Sequence, residues 1–279
     1  MKKISAVFDG LKFSEGTLEY ALKIAQGSKA MLSGVFLESF LYQSYHLADL
    51  IGKHGLSQVK MKHLLEKDKE SRLKSAAIFE HRCEDEKLNY AIYHDDNLAM
   101  QEVLRESVYS DLLLVNADET FNHLTEPRPT PFIRELLAGT QSPVLIVPHE
   151  YKEIQKVVLL YDGKPSSVYA IKMFNYMMPW LRNIETEVIS VTDANDMIEL
   201  PDEDLVKEFI ACHYPTASYT LLKGNPEEKI VAYLKNSNKN ALIVTGAYQR
   251  NQVSRWFKSS MADSLMKNID MPLFIAHHS

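Results

Sequence analysis

Two carboxylates, each followed by glycine, occupy matching places in the chain. Asp9-Gly10 ends the apolar run ISAVFD and Asp162-Gly163 ends VVLLYD, with Ser14 and Ser167 standing at equal distances beyond them. A third apolar run closes at Gly246, and a polar, partly basic loop then leads to Ser259-Ser260, a helical pattern and a last apolar strand. This is the layout of an anion site. Phosphates take backbone N–H groups at a helix N-terminus, and glycine lets the backbone come close and adopt φ > 0. Most of the glycines such a loop needs are missing, while Arg250, Arg255 and Lys258 bring charge to it. Covalent or metal chemistry has less support. The sequence contains no G-x-S-x-G elbow, no Walker A loop and no H-E-x-x-H spacing.

Each residue also has a purely structural reading. Asp9-Gly10 and Asp162-Gly163 are suitable strand-ending turns. Ser260-x-x-Asp263 is a capping box for the final helix. Arg250, Arg255 and Lys258 suit a solvated surface, and Trp256 beside Phe257 suits packing under the loop. His46, His54, His63, His81 and His94 are expected to be structural or exposed. The stretch HDDN (94–97) reads as a strand end followed by a helix start, where Asp95 or Asp96 would favour the helix dipole. Cys83 and Cys212 have no catalytic neighbours in sequence and read as packing or exposed thiols.

These residues are positioned by a unit written twice. Residues 4–25 and 157–178 align at an offset of 153, and SPVLIVPHE (142–150) aligns with MPLFIAHHS (271–279) at 129. The first copy therefore carries about 24 extra residues in its middle. The strands are expected at 4–9, 30–37, 88–94, 111–116 and 143–148, then at 156–162, 185–192, 217–223, 240–246 and 272–277. Their apolar runs are continuous, as in parallel strands buried on both faces. Helix patterns lie between them, at Glu15–Gln26, Gln58–Glu84, Leu98–Tyr109, Ser166–Trp180, Asp204–His213 and Glu227–Leu234. The alternation predicts α/β architecture: two tandem doubly wound domains over 1–149 and 154–279, joined by the linker 147–155.

The 279 residues suit two domains. A net charge of −6 argues against a general nucleic-acid partner. Two cysteines make no disulfide framework. The start MKKISAVFDG meets Asp9 too soon to read as a signal peptide, and no apolar run is long enough to cross a bilayer. A cytoplasmic protein without membrane contact is expected.

Strand–Asp-Gly–Ser–helix at the start and strand–Gly–polar loop–Ser-Ser–helix–Pro–strand at the end resemble the universal stress protein domain, present in tandem over nearly the whole chain. The resemblance implies five-stranded parallel sheets flanked by helices, of the adenine nucleotide alpha hydrolase-like type, paired through their last strands as an internal pseudo-dimer. Some family members bind ATP through G-x2-G-x9-G-[S/T], with an Asp near adenine; others bind none. Carried over, the motif falls in the second copy on Gly246, Gln249, Ser259 and Ser260, with Asp162 and Gly163 at the first strand end. In the first copy it falls on Asn116, Glu119, Thr130 and Pro131, so all three glycines and the following hydroxyl are lost and Asp9 alone is kept. No nucleotide is expected there.

Three functions follow as expectations. The first is a non-enzymatic stress-response binding or signalling module with a degenerate nucleotide motif. The second is an ATP-binding protein holding one nucleotide, with Mg²⁺, in the second copy and at most hydrolysing it weakly. The third is a protein-interaction scaffold using the aromatic segment 38–55, which would otherwise fill the first crevice or pack. No cofactor or protein partner is assigned by the sequence, and homodimerisation is compatible with it.

Overall fold

A computed structural model describes residues 1–9, 12–37, 51–52, 55–56, 58–95, 99–121, 125–193, 199–246 and 261–276. The first half runs β1 (Lys3–Asp9), α1 (Glu15–Ser28), β2 (Met31–Leu37), α2 (Gln58–Asp85), β3 (Tyr90–Asp95), α3 (Ala99–Val108), β4 (Leu112–Asn116), α4 (Pro131–Gly139) and β5 (Val144–Val147). The second runs β6 (Lys156–Leu160), α5 (Pro165–Met177), a 3-10 turn (Pro179–Asn183), β7 (Glu185–Thr192), α6 (Glu203–His213), β8 (Ser218–Lys223), α7 (Pro226–Lys235), β9 (Ala241–Gly246), α8 (Met261–Asn268) and β10 (Leu273–Ala276). A two-residue ladder, Ile51–Gly52 with Gly55–Leu56, precedes α2.

Local chemistry explains where the helices begin and end. Ser14 caps α1 by accepting the Thr17 N–H at 3.1 Å. Thr130 and Asn225 cap α4 and α7, each followed by a proline in the first turn. The expected helix to Trp180 stops instead at Met177. Pro179 has no N–H to donate and its ring crowds the preceding turn, so the chain tightens into the 3-10 turn that carries Trp180. The helix over Pro131–Gly139 was not among the expected patterns.

Among the described residues, β1 to β10 form one sheet, in the order β8-β7-β6-β9-β10-β5-β4-β1-β2-β3. Neighbours are parallel except at the centre, where β10 and β5 run antiparallel with Phe274 opposite Leu145. Along β1, Ile4, Ala6 and Phe8 face one apolar layer and Val7 the other. The first layer is closed by α1, α2, α5 and α6, the second by α3, α4, α7 and α8. Both layers cross the central seam, so the core is continuous from one half to the other. Fully burying a side chain such as Phe174 or Phe274 stabilises the fold by about 1.5–3 kcal/mol.

Polar contacts reinforce the seam. Arg128 makes a paired contact with Asp118 and reaches Asp270 of the second half at 3.0 Å. Tyr20 on α1 donates to the Lys152 carbonyl of the linker at 3.0 Å, and Asn240 donates to the same carbonyl at 2.8 Å. Trp180 lies against Gly27 at the end of α1.

Candidate functional site

The candidate site lies at the carboxyl ends of the strands, where strand order reverses and open α/β sheets take their ligands. In each half the first strand and the fourth strand are adjacent there, with the helix after the first strand starting beside them.

In the second half, the described site residues converge on the first turn of α5. Asp162 follows β6. Its Oδ1 accepts the Lys164 N–H at 3.1 Å and its Oδ2 lies 3.0 Å from Lys164 Nζ, with the carboxyl half exposed. Burial alone would raise this carboxyl, but the hydrogen bonds from Lys164 and Ser167 outweigh it and hold it below its ordinary range. Gly163 turns the chain with φ +76°, and Pro201 from the β7–α6 connection packs over it. A Cβ at Gly246 would lie 2.6 Å from the Ser166 carbonyl oxygen and 3.0 Å from the Ser167 nitrogen. This glycine is thus the means by which the end of β9 meets the backbone of α5. The Asp162 amide reaches the Ser167 hydroxyl at 3.5 Å, so Asp162, Gly163 and Gly246 surround one turn of helix. Gln249, Ser259 and Ser260 lie outside the described residues, as do Arg250, Arg255, Trp256, Phe257 and Lys258.

The first half fills the equivalent space with side chains. Asn116 occupies the end of β4 as Gly246 occupies the end of β9. Its Nδ2 donates to Ser14 Oγ at 3.1 Å and approaches Thr17 Oγ1 at 3.4 Å, while its Oδ1 accepts the Asp118 N–H at 2.8 Å. Glu119 then turns inward and is buried beside Asp9. Its Oε1 accepts the Thr120 and Phe121 N–H groups, and its carbonyl accepts the Thr130 hydroxyl at 2.6 Å. Thr130 directly precedes α4, and in the sequence Ser260 directly precedes Met261, the first described residue of α8. Counting from the helix start, rather than back from Pro143, therefore restores a hydroxyl at that place. Thr130 is fully buried and used in capping.

Other expected residues fall away from this edge. His63 and His81 lie exposed on α2, and the aromatic stretch 38–50 lies outside the described residues, as do His46, His54 and Asp96. Asp95 ends β3. Cys212 is exposed. Cys83 is buried, and burial pushes its thiol up to about 12, where it is no nucleophile. Among the described residues, no group of His, Cys, Asp or Glu is arranged to hold a metal ion, and no helix is long and apolar enough to cross a membrane. A cavity of about 10 Å³ at the seam, lined by Arg128, Ile146, Ile243 and Asp270 among others, has room for one water and no nucleotide.

The architecture as a whole has counterparts among solved structures. A universal stress protein from Archaeoglobus fulgidus superposes with a TM-score of 0.67 at 14% identity, covering 99% of this chain and 98% of that one. The fold is the universal stress protein fold. A functionally unknown protein from Pseudomonas aeruginosa PAO1 is similar, with a TM-score of 0.65 at 14% identity over 99% of this chain and 92% of its own. The cytoplasmic domain of a prokaryotic cation chloride cotransporter also shares it, with a TM-score of 0.55 at 8% identity over 98% and 94%. No family model and no curated protein sequence matches the chain. The universal stress protein fold therefore serves unlike proteins, and function must be argued from the site.

Proposed function

We propose that this chain is a tandem universal stress protein acting as a non-enzymatic stress-response binding or signalling module in the cytoplasm. Residues 1–149 and 154–279 are its two domains, paired through β5 and β10 as an internal pseudo-dimer. The observation that carries the reading is the filled first crevice. Asn116 and Glu119 stand at motif positions that glycine would leave open, and both are buried and hydrogen-bonded. A nucleotide would have to displace a buried carboxyl and three hydrogen bonds of Asn116, each worth roughly 0.5–1.5 kcal/mol.

A second reading is supported by the exposure of Asp162. Its carboxyl is half exposed beside Gly163 and Gly246 at the open end of the sheet, so one ATP with Mg²⁺ at Asp162, Gly163, Gly246, Gln249, Ser259 and Ser260 is the alternative. Calorimetric titration of the full chain with ATP and Mg²⁺, after release and identification of any co-purified nucleotide, separates the two. The first reading expects neither heat nor nucleotide. One saturable site lost in Asp162→Ala supports the second, and two sites per chain would sink the account of the first crevice.

A further inference from the structure

α2 is 28 residues long, and its counterpart in the second half, α6, is 11. Each is followed by four residues and then by an end strand of the sheet, β3 at Tyr90 and β8 at Ser218. The two helices therefore match over Ser75–Asp85, and 28 less 11 leaves Gln58–Lys74 as an extension of 17 residues. The core uses only the shared part. Ser75, Ala76, Phe79 and Cys83 are buried there, and no described side chain of the helix before Ser75 is. At 1.5 Å per residue the extension adds about 25 Å of helix beyond that packing. A helix of this length without an apolar contact is marginal on its own, so the extension needs a surface to lie on.

Its charges say which surface. Residues 58–74 hold six basic and three acidic side chains, while 75–85 hold one basic and three acidic. That order is the reverse of what the helix macrodipole favours. α6 and α7 keep the ordinary order, with acids in the first turn and His213 or Lys235 in the last. On the outer face of α2 the charges form one stripe. Lys62, Glu66, Lys69 and Leu73 stand at steps of four, three and four, and the same steps lead on from Leu73 to Ala77, Glu80 and Glu84. All seven are exposed, Leu73 at 58%. The stripe is symmetrical in position about Leu73 and opposite in charge at its two ends. Glu66 lies 4.0 Å from Lys62 of its own helix. Glu80 and Glu84 converge on the Tyr90 hydroxyl at 3.0 and 3.3 Å, and that hydroxyl has one proton to give. Like charges at this spacing repel, so the pair attracts a cation from outside.

We propose that a second copy of this chain covers the extension: two α2 helices pack antiparallel about a two-fold axis at Leu73, each extension lying over the acidic Ser75–Asp85 stretch of the other copy. A two-fold contact is self-complementary, and this stripe has that property. Leu73 meets Leu73. Lys62 meets Glu84 of the second copy. Lys69 meets Ala77, with Glu80 one turn away, so Glu66 and Glu80 share the two lysines. The contact is a ring of ion pairs around one small apolar centre, and it is therefore weak and sensitive to salt.

The test is sedimentation velocity of the full chain from about 1 to 100 µM, in about 50 mM and about 500 mM salt. Wild type should dimerise with rising concentration at low salt, with Kd at least about tenfold weaker at high salt. The double variants K62E/K69E and E80K/E84K change exposed positions; each alone should stay monomeric. Their equimolar mixture should dimerise, because every reversed extension then meets a reversed acidic stretch. Should E80K/E84K fail to fold without its Tyr90 contacts, Leu73→Lys and Leu73→Asp take the place of the pair: each monomeric alone, dimeric when mixed. A wild-type monomer at about 100 µM in low salt overturns the proposal. So does a dimer that both double variants leave intact, or a mixture that stays monomeric.

Discussion

Gly246→Ala tests whether the glycine that resembles part of a phosphate loop is needed first for packing. The new Cβ would lie 2.6 Å from the Ser166 oxygen, 2.7 Å from its carbonyl carbon and 3.0 Å from the Ser167 nitrogen. All three are backbone atoms, and they cannot rotate away. The helix they belong to is pinned to the sheet by Ala170, Ile171 and Phe174, all fully buried. Relief therefore requires α5 to lift or β9 to sink. Overpacking of this kind costs about 1–3 kcal/mol, and the lower unfolded-state entropy of alanine returns about 0.4–1 kcal/mol. A net loss of about 1–2 kcal/mol lowers Tm by roughly 2–8 °C in a chain of this size. Thermal unfolding by circular dichroism, with and without ATP and Mg²⁺, measures it. The drop should be the same in both conditions. A Tm within about 1 °C of wild type would refute the packing account, since even the lower figure exceeds it.

Three further outcomes follow from named contacts. Glu187 is buried and held by Lys156 at 2.7 Å, by the Tyr233 hydroxyl at 2.6 Å and by Thr220; Glu187→Ala leaves Lys156 to Glu185 at 3.4 Å and the two hydroxyls without this acceptor, and should cost about 1–3 kcal/mol by urea unfolding. Arg128→Met removes the contacts to Asp118 and Asp270 and should cost about 1–2 kcal/mol at neutral pH. Because the Arg128 hydrogen bond holds Asp118 below its ordinary range, its stabilisation exists above the unfolded value and disappears as pH falls through the folded one. Wild type and Arg128→Met should therefore converge in acid unfolding once the pH has fallen through the lowered Asp118 value. Gly163→Ala forces a side chain into φ +76° against Pro201, and should cost about 1–2 kcal/mol in thermal unfolding.

The strands were legible because burial on both faces leaves an unmistakable mark. Leu112 to Val115 and Leu242 to Val244 are almost fully buried, and such runs cannot be anything exposed. The repeat in the sequence was legible because Asp9 and Asp162 recur in the same frame. What pairs across the chain was not. Arg128 and Asp270 stand 142 positions apart, and nothing in either neighbourhood announces the other. Glu119 looked like a loop residue standing where a glycine was lost, since acids are rarely buried; its inward turn depends on Thr130, Phe121 and the end of β1, which only the fold brings together. Trp180 read as the last turn of a helix, because the pattern continued through Pro179 although the backbone could not.

The two halves meet one geometric demand in different ways, and the difference is testable by exchange. Under the repeat offset, α5 begins three residues earlier than α1. Its added turn brings the Ser166–Ser167 peptide against β9 and leaves space for glycine alone. Because α1 begins later, a gap remains, and Asn116 fills it with hydrogen bonds to Ser14 and Thr17. Asn116→Gly should then leave buried hydroxyls short of a partner and cost about 1–3 kcal/mol. Gly246→Asn should cost more than Gly246→Ala, because the larger side chain meets the same backbone wall. If Gly246→Asn instead left urea unfolding unchanged, the place would be open in the second half too, and the early start of α5 would not explain the glycine.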